Sequence, residues 1–327
     1  MKLSLFLGAC GIGLMAGCGG AEPSPDVDPT EDPAAASEQD LVASKVTITT
    51  NPSPVVVGAV TSLDVRVRTG QGAPITQFDP LHTQPMHLIA VSSDLEDFIH
   101  VHPALQAAGN LTTSATFSRS EPYALFMEYD PAGAAGPTLS RARVAPAGSH
   151  VVAAQLDPAD AFGGSTSKTV IAGGTAIELV GSPGGMIMAN TNAHLVFRFR
   201  NTNGSPVTNL TNWLGMPAHG IVVSPDLKTF LHEHGMAESA TGGGHGGHGM
   251  AATTSTGPIG IDVSLPKAGL YKIFLQFQRG TTLITAPFVL QVMASHGTPP
   301  PPPQTCATTT CPHGQMCMVM GGGPMCM

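Results

Sequence analysis

The chain has 327 residues, of which 42% are hydrophobic and 11% charged, with a formal net charge of −8. That length can supply more than one folded core, and no basic cluster marks nucleic acid as a partner. Histidine is abundant at 13 residues while cysteine is sparse at 6, which turns attention to imidazole chemistry.

The N-terminus, MKLSLFLGACGIGLMAGC, reads as an export signal with one basic residue, Lys2, an apolar run through Leu14, and small residues after it. The run is too short to span a bilayer as a helix. Met15-Ala16-Gly17-Cys18 resembles the lipobox of bacterial lipoproteins, with Met where Leu, Val or Ile is more usual. The resemblance implies removal of residues 1–17, lipid on the sulfur of Cys18 and, with Gly19 following, export to the outer membrane. The competing box ending at Cys10 leaves too short an apolar segment, and an ordinary secreted protein cut nearby is the alternative. After Cys18, residues 19–44 hold seven acidic residues (Glu22, Asp26, Asp28, Glu31, Asp32, Glu38, Asp40), no basic ones, and prolines at 23, 25, 29 and 33. Such a stretch repels itself and buries little, so 18–44 is expected to be a solvated tether. Without those seven and Lys2, 15 acidic residues face 13 basic ones, so the remainder is nearly neutral.

The middle of the chain repeats. His-x12-His-x-His occurs at His87, His100 and His102 and again, 132 residues on, at His219, His232 and His234. The same offset relates Leu63, Arg66, Arg68, Gly72, Pro74, Thr76 and Pro85 to Leu195, Arg198, Arg200, Gly204, Pro206, Thr208 and Pro217. Beyond the histidines the offset becomes 148, matching Tyr123–Tyr129 to Tyr271–Phe277. One insertion, the Gly/His segment 242–257 of the second copy, accounts for the change. Two homologous domains follow, 45–147 and 168–294, joined by the Gly/Ser/Ala-rich stretch 148–167.

Each copy reads as all-β. Ser62–Arg68 alternates strictly, with Leu63, Val65 and Val67 on one face and Arg66 and Arg68 on the other; His194–Arg200 sets Leu195, Phe197 and Phe199 inward likewise. Tyr271–Phe277 and Phe288–Val292 have strand composition, turn residues fall between such runs, and no segment shows helical periodicity. The expected fold is two tandem immunoglobulin-like or cupredoxin-like β-sandwiches. Both copies also resemble a bacterial exported repeat, H-x-x-V-V-S-x-D-L-x-x-F-x-H-x-H followed by G-x-Y-x-L-F-x-Q-F-Q. His87, Val91, Ser92, Asp94, Leu95, Phe98, His100, His102 and Tyr123 carry it first. His219, Val222, Val223, Ser224, Asp226, Leu227, Phe230, His232, His234 and 269–278 carry it again. The resemblance implies this fold and an exported setting, and no activity.

Past the second copy, 295–305 contains the run Pro299–Pro303, a stiff polyproline spacer. Residues 306–327 carry Cys306, Cys311, Cys317 and Cys326, whose spacing lacks the CxxC of a zinc knuckle. In an exported protein they are expected to form two disulfides, in any of three pairings. The segment resembles the start of a follistatin-type or EGF-like module, giving a small disulfide-rich C-terminal unit.

In a strand, residues i and i+2 share a face, so His100 projects with His102 and His232 with His234. A Ser-x-Asp-Leu turn separates each pair from His87 or His219, and an antiparallel return brings the third imidazole near. Three neutral imidazoles suit Zn(II), Cu(II) or Ni(II), with a fourth position open. Met86, Met216 and Met236 lie close in sequence, and thioether beside imidazole shifts preference toward copper. The insertion adds His245, His248 and Met250 as candidate ligands, favouring the second domain. Asp94 and Asp226 read as turn caps, Glu233 as facing away, and Trp213, Tyr123 and Tyr271 as core or sandwich-corner residues. The competing reading makes the histidines structural, with His87 holding a turn by bonding the His100 backbone.

No G-x-S-x-G elbow, H-E-x-x-H helix, Walker loop or isolated cysteine nucleophile occurs, so the chain is expected not to be an enzyme. These features together describe a lipid-anchored envelope protein that binds copper or zinc for sequestration or transfer, with room for a protein partner in the envelope. The alternative is a surface-displayed interaction or adhesion module.

Overall fold

The computed structural model describes residues 45–164, 167–180, 186–238, 254–255, 257–295, 317–320 and 323–326. Cys18, His245, His248, Met250, Cys306 and Cys311 lie outside them. The first repeat forms strands β1 (Lys45–Asn51), β2 (Val60–Arg68), β3 (Phe78–Asp79), β4 (His87–Ser92), β5 (Phe98–Val101), β6 (Ala104–Leu105), β7 (Leu111–Thr116), β8 (Tyr123–Pro131) and β9 (Thr138–Val144). Next come β10 (Ala161–Phe162), β11 (Lys168–Ala172), β12 (Thr175–Val180), β13 (Ile187–Met188), β14 (Asn192–Asn201), β15 (Leu210–Thr211) and β16 (Ala218–Val223). The rest are β17 (Phe230–Ala237), β18 (Thr254–Ser255), β19 (Ile259–Ser264), β20 (Gly269–Arg279), β21 (Thr282–Met293), β22 (Cys317–Met320) and β23 (Gly323–Cys326). No helix occurs among the described residues, so none there is long and apolar enough to cross a membrane.

The expected alternation is present. On β2, Leu63, Val65 and Val67 are buried and Arg66 is exposed; on β14, Leu195, Phe197 and Phe199 are buried. The first sandwich packs the sheet β1-β2-β7-β6 against β3-β8-β4-β5, with β9 beside β8. In the second, β11-β12-β14-β19 faces β10-β21-β20-β16-β17. Here β17 joins the two layers, pairing with β16 up to Gly235 and with β19 at Met236 and Ala237. Gly235 permits that crossing, since a Cβ there would lie 2.5 Å from Cγ2 of Ile259. Both sandwiches are all-β, as expected. At the C-terminus, β22 and β23 pair with Cys317 opposite Cys326.

Strands β4, β8, β16 and β20 depart from simple alternation. Every residue of β4 and of β16 is buried, because their sheets are covered on both faces. Leu88, Ala90, Leu125 and Met127 point into the first core, and Val222, Ile273 and Leu275 into the second. The alternate residues Ile89, Val91 and Phe126 meet Ile221, Val223 and Phe274 in a third cluster, between the domains. Phe126 stacks on Phe230 at 4.2 Å, and Phe98 on Phe274 at 4.5 Å. These are equivalent pairs with the domains exchanged, the mark of a pseudo-two-fold contact.

Other groups seal the same interface. Lys272 Nζ donates to the carbonyl of Leu95 at 2.6 Å and pairs with Glu96 at 2.8 Å. Within the stretch 148–167, Ala154 and Leu156 pack on the interdomain cluster and Phe162 on β10 is buried in the second core.

The Ser-x-Asp-Leu turn that precedes each His pair is built twice in the same way. Ser92 Oγ and the Glu96 amide both donate to Asp94, at 2.5 and 3.0 Å, and Ser224 Oγ and the Lys228 amide do so to Asp226. Both aspartates cap their turns, as expected. Leu95 and Leu227 take left-handed backbone (φ 60° and 58°), uncommon for a branched side chain, and both pack against the interdomain cluster.

Because Phe126 is buried between domains, Phe126→Ala is expected to destabilise the chain by about 3–5 kcal/mol, read by chemical denaturation. A change below about 1 kcal/mol would show that the domains do not dock through this cluster.

Candidate metal centre

The antiparallel register places His87 beside the end of β5 and sets His219 opposite His234 on β17. Within the first triad, Nδ1 of His87 lies 3.1 Å from Nε2 of His100, which lies 3.3 Å from Nε2 of His102. In the second, Nδ1 of His219 lies 3.2 Å from Nε2 of His232. In each triad the three ligand atoms all lie within 4.8 Å of one another. Two nitrogens bound about 2.0–2.1 Å from one tetrahedral ion stand roughly 3.3 Å apart, so each triad could hold a shared cation.

The far side of each ring decides which nitrogen offers a lone pair. Nε2 of His87 donates to the Leu81 carbonyl at 2.9 Å and Nε2 of His219 to the Trp213 carbonyl at 3.0 Å, leaving Nδ1 of each free. Both carbonyls belong to tight turns closed by reciprocal bonds, Leu81 with Gln84 and Trp213 with Met216. Positive φ at His82 and Thr83, and at Leu214 and Gly215, matches the type I′ hairpin turn. The central imidazoles are held from the opposite domain: Nδ1 of His100 faces Oε1 of Gln276 at 2.7 Å, and Nδ1 of His232 faces Oε2 of Glu128 at 2.5 Å. Each central Nε2 therefore points a lone pair at the triad's centre. In the first triad a proton on His102 can satisfy His100 but not His87 as well. In the second, buried Nε2 of His234 has no hydrogen-bond partner. These outer contacts are of the kind that orient metal-bound histidines.

Burial keeps the rings neutral, the form that binds metal. It lowers His87, drives His100 and His232 well below the ordinary histidine value, and lowers His102 and His219 to about 4 and His234 to about 2, with neighbouring histidines adding to the effect on all six. For His87 the Leu81 hydrogen bond and Glu128 oppose the shift. Burial also pushes Glu128 and Glu233 up to about 7.

The six expected histidines thus come together, in one layer between the domains. His87 and His100 each lie within 5.2 Å of His232, ring to ring. His87 bonds the Leu81 carbonyl and not the His100 backbone. The methionines depart from expectation: Met86 is fully buried in the first apolar core and Met236 is 40% exposed. Strand alternation turns Met86 away from His87. Trp213, expected in the core, is instead half-buried against the site, its ring 5.2 Å from His100, 5.5 Å from His102 and 4.9 Å from His219. Tyr123 and Tyr271 are core residues, as expected.

Three participants were missed. His82, at the tip of its turn, reaches the other domain and packs against His234, ring centroids 3.7 Å apart and planes tilted by 35°. Glu128 and Gln276 occupy one repeat position, opposite His87 and His219 on the neighbouring strands. A polar residue at that aligned place in two mainly apolar strands was a visible signal for them. His82 left none, since its counterpart is Leu214.

Acid should undo this arrangement. An unfolded histidine takes up a proton near 6.5, whereas the folded rings resist to about 4 and below. Their contribution is therefore full above pH 6.5 and is lost as the pH falls toward 4. The two raised carboxyls run the other way, contributing fully below 4.5 and fading as the pH rises through about 7. With six imidazoles against two carboxyls, the Tm of the metal-free chain should fall between pH 6.5 and 4. A flat profile in calorimetry would contradict buried neutral rings.

The solved structures that the chain matches share little with it in overall arrangement. TarS of S. aureus has a TM-score of 0.21 at 10% identity, over 69% of this chain and 36% of that one. Fibronectin(III)-like modules of Clostridium thermocellum CbhA give 0.19 at 10% identity, over 76% and 94%. Domains 4 and 5 of the S-layer protein SbsC give 0.19 at 13% identity, over 77% and 99%. The chain thus spans about a third of TarS, and scores this low assign it no activity. No curated protein sequence matches it. A family model does, over residues 41–139 and again over 169–294, consistent with the two-copy repeat, and the chain belongs to that family, the domain of unknown function DUF8832.

Proposed function

We propose that this chain is a non-catalytic metal-binding protein of the cell envelope, holding copper at its two His triads for sequestration or transfer. One observation carries the reading: in each triad two ring nitrogens lie 3.1–3.2 Å apart while the other nitrogen of each of those rings faces an outer oxygen. Such an approach is repulsive until a cation sits between them. Three imidazoles with an open fourth position accept Zn(II) as well, and copper is preferred because it stands highest among the first-row divalent ions for nitrogen ligands. The methionine argument for copper is weakened by the burial of Met86 and the exposure of Met236.

Equilibrium dialysis of the intact chain against micromolar free Cu(II) is expected to retain about two ions per chain. His100→Ala with His102→Ala should remove one of them. Retention of no metal would sink the reading. The rival has its own support, because His100 and His232 bond across the domain interface and so serve docking. If the histidines are only structural, that double variant lowers Tm and leaves metal content unchanged.

The lipobox supports an anchor at Cys18. Each buried CH₂ of an acyl chain contributes about 0.8 kcal/mol, and the acidic tether and nearly neutral domains supply no competing affinity. Cys18→Ser is expected to release the protein from the membrane fraction while Cys10→Ser leaves it there. Membrane retention of processed Cys18→Ser protein would count against the anchor.

A further inference from the structure

The two triads are equivalent in the repeat but not in what surrounds them. His100, central in the first triad, is held through Nδ1 by the amide oxygen of Gln276 at 2.7 Å. The amide nitrogen of Gln276 donates onward to Oγ1 of Thr285 at 3.1 Å. His232, central in the second, is held through Nδ1 by the carboxylate of Glu128 at 2.5 Å. Each partner comes from the opposite domain, on a strand whose alternate residues (Phe126, Phe274) form the interdomain apolar cluster. The ligating tautomer of one domain's central histidine is thus set by the docking of the other domain.

We infer that the two triads form one paired metal centre across the interface, in which Glu128, set against Gln276, makes the triad His219/His232/His234 the tighter site. This rests on the metal-binding reading above. The physical reason is charge. When a cation binds Nε2 of an imidazole, positive charge spreads onto the Nδ1–H, and an acceptor carrying a full negative charge stabilises that state more than a neutral amide does. When ionised, as beside a bound cation, Glu128 can only accept from Nδ1–H, so it then also holds His232 in the ligating tautomer, whereas an amide can turn and offer N–H instead. The net charge of the loaded second site is lower by one unit as well, which suits a divalent ion in a buried place. Glu128 touches His232 and not the reacting position, so it is a positioning residue.

The test is titration of the intact chain with Cu(II) against a competing chelator, in wild type and four variants. Wild type is expected to bind two ions with unequal affinity. His102→Ala should keep the tighter ion and His234→Ala the weaker; neither residue hydrogen-bonds across the interface among the described contacts. Glu128→Gln, nearly isosteric, should weaken the tight site by about 10- to 100-fold and leave the other in place. Gln276→Glu should tighten the first site, a gain that loss of packing cannot produce. If burying that second carboxylate prevents folding, as thermal unfolding would show, Glu128→Gln decides alone. Equal affinities in wild type, loss of the tight ion in His102→Ala, or an unchanged tight site in Glu128→Gln would each overturn the inference while leaving metal binding intact. No copper bound by wild type would overturn both.

Discussion

Everything at the centre of this molecule depends on two sheets that are covered on both faces. A sandwich sheet needs only one apolar face for its own core, and the other usually meets water. Here the outer faces of β4/β8 and β16/β20 are apolar too, and each covers the other. The stacked pairs Phe126–Phe230 and Phe98–Phe274 set the register of that contact. Once the register is set, residues two positions along the same strands, Glu128 and Gln276, arrive at the opposite domain's histidines. The polar layer is placed by the apolar one.

Concentrating imidazoles in such a layer has a cost, and its form explains the chemistry. Desolvation suppresses the charged state of every ring in both triads, so no set of internal salt bridges can compensate. What remains is hydrogen bonding at the outer nitrogen of four of the rings. Turn carbonyls satisfy His87 and His219, and the cross-domain side chains satisfy His100 and His232. The second nitrogens are left facing one another, which is unfavourable for neutral rings and favourable around a cation. Strained backbone at His82 and Leu214 belongs to the same economy, since the turns that contain it present the two carbonyls.

The repeat is also where symmetry ends. His82 packs its ring against His234 while the matching Leu214 has no ring to offer. Trp213 covers the first triad, and Leu81 is its counterpart in the other copy. Glu128 stands where Gln276 does. Duplication built two equal frames, and a few side chains at the interface made their contents different.

The sequence by itself determined the all-β class, the two copies, the inward faces of β2 and β14, the capped turns, and the six histidines as two triads. All of these follow from period-two patterning and from short sequence separations, which strand geometry converts directly into neighbourhood. It was silent on the meeting of the triads, because that contact joins residues more than a hundred positions apart through a surface whose apolar face looks in sequence like an ordinary buried strand. For the same reason Trp213 read as core and Met86 as a neighbour of His87: sequence proximity cannot tell which side of a doubly covered sheet a side chain takes. Only the tertiary structure decided that, by giving the apolar run of β4 two different partners, its own sandwich on one face and the second domain on the other.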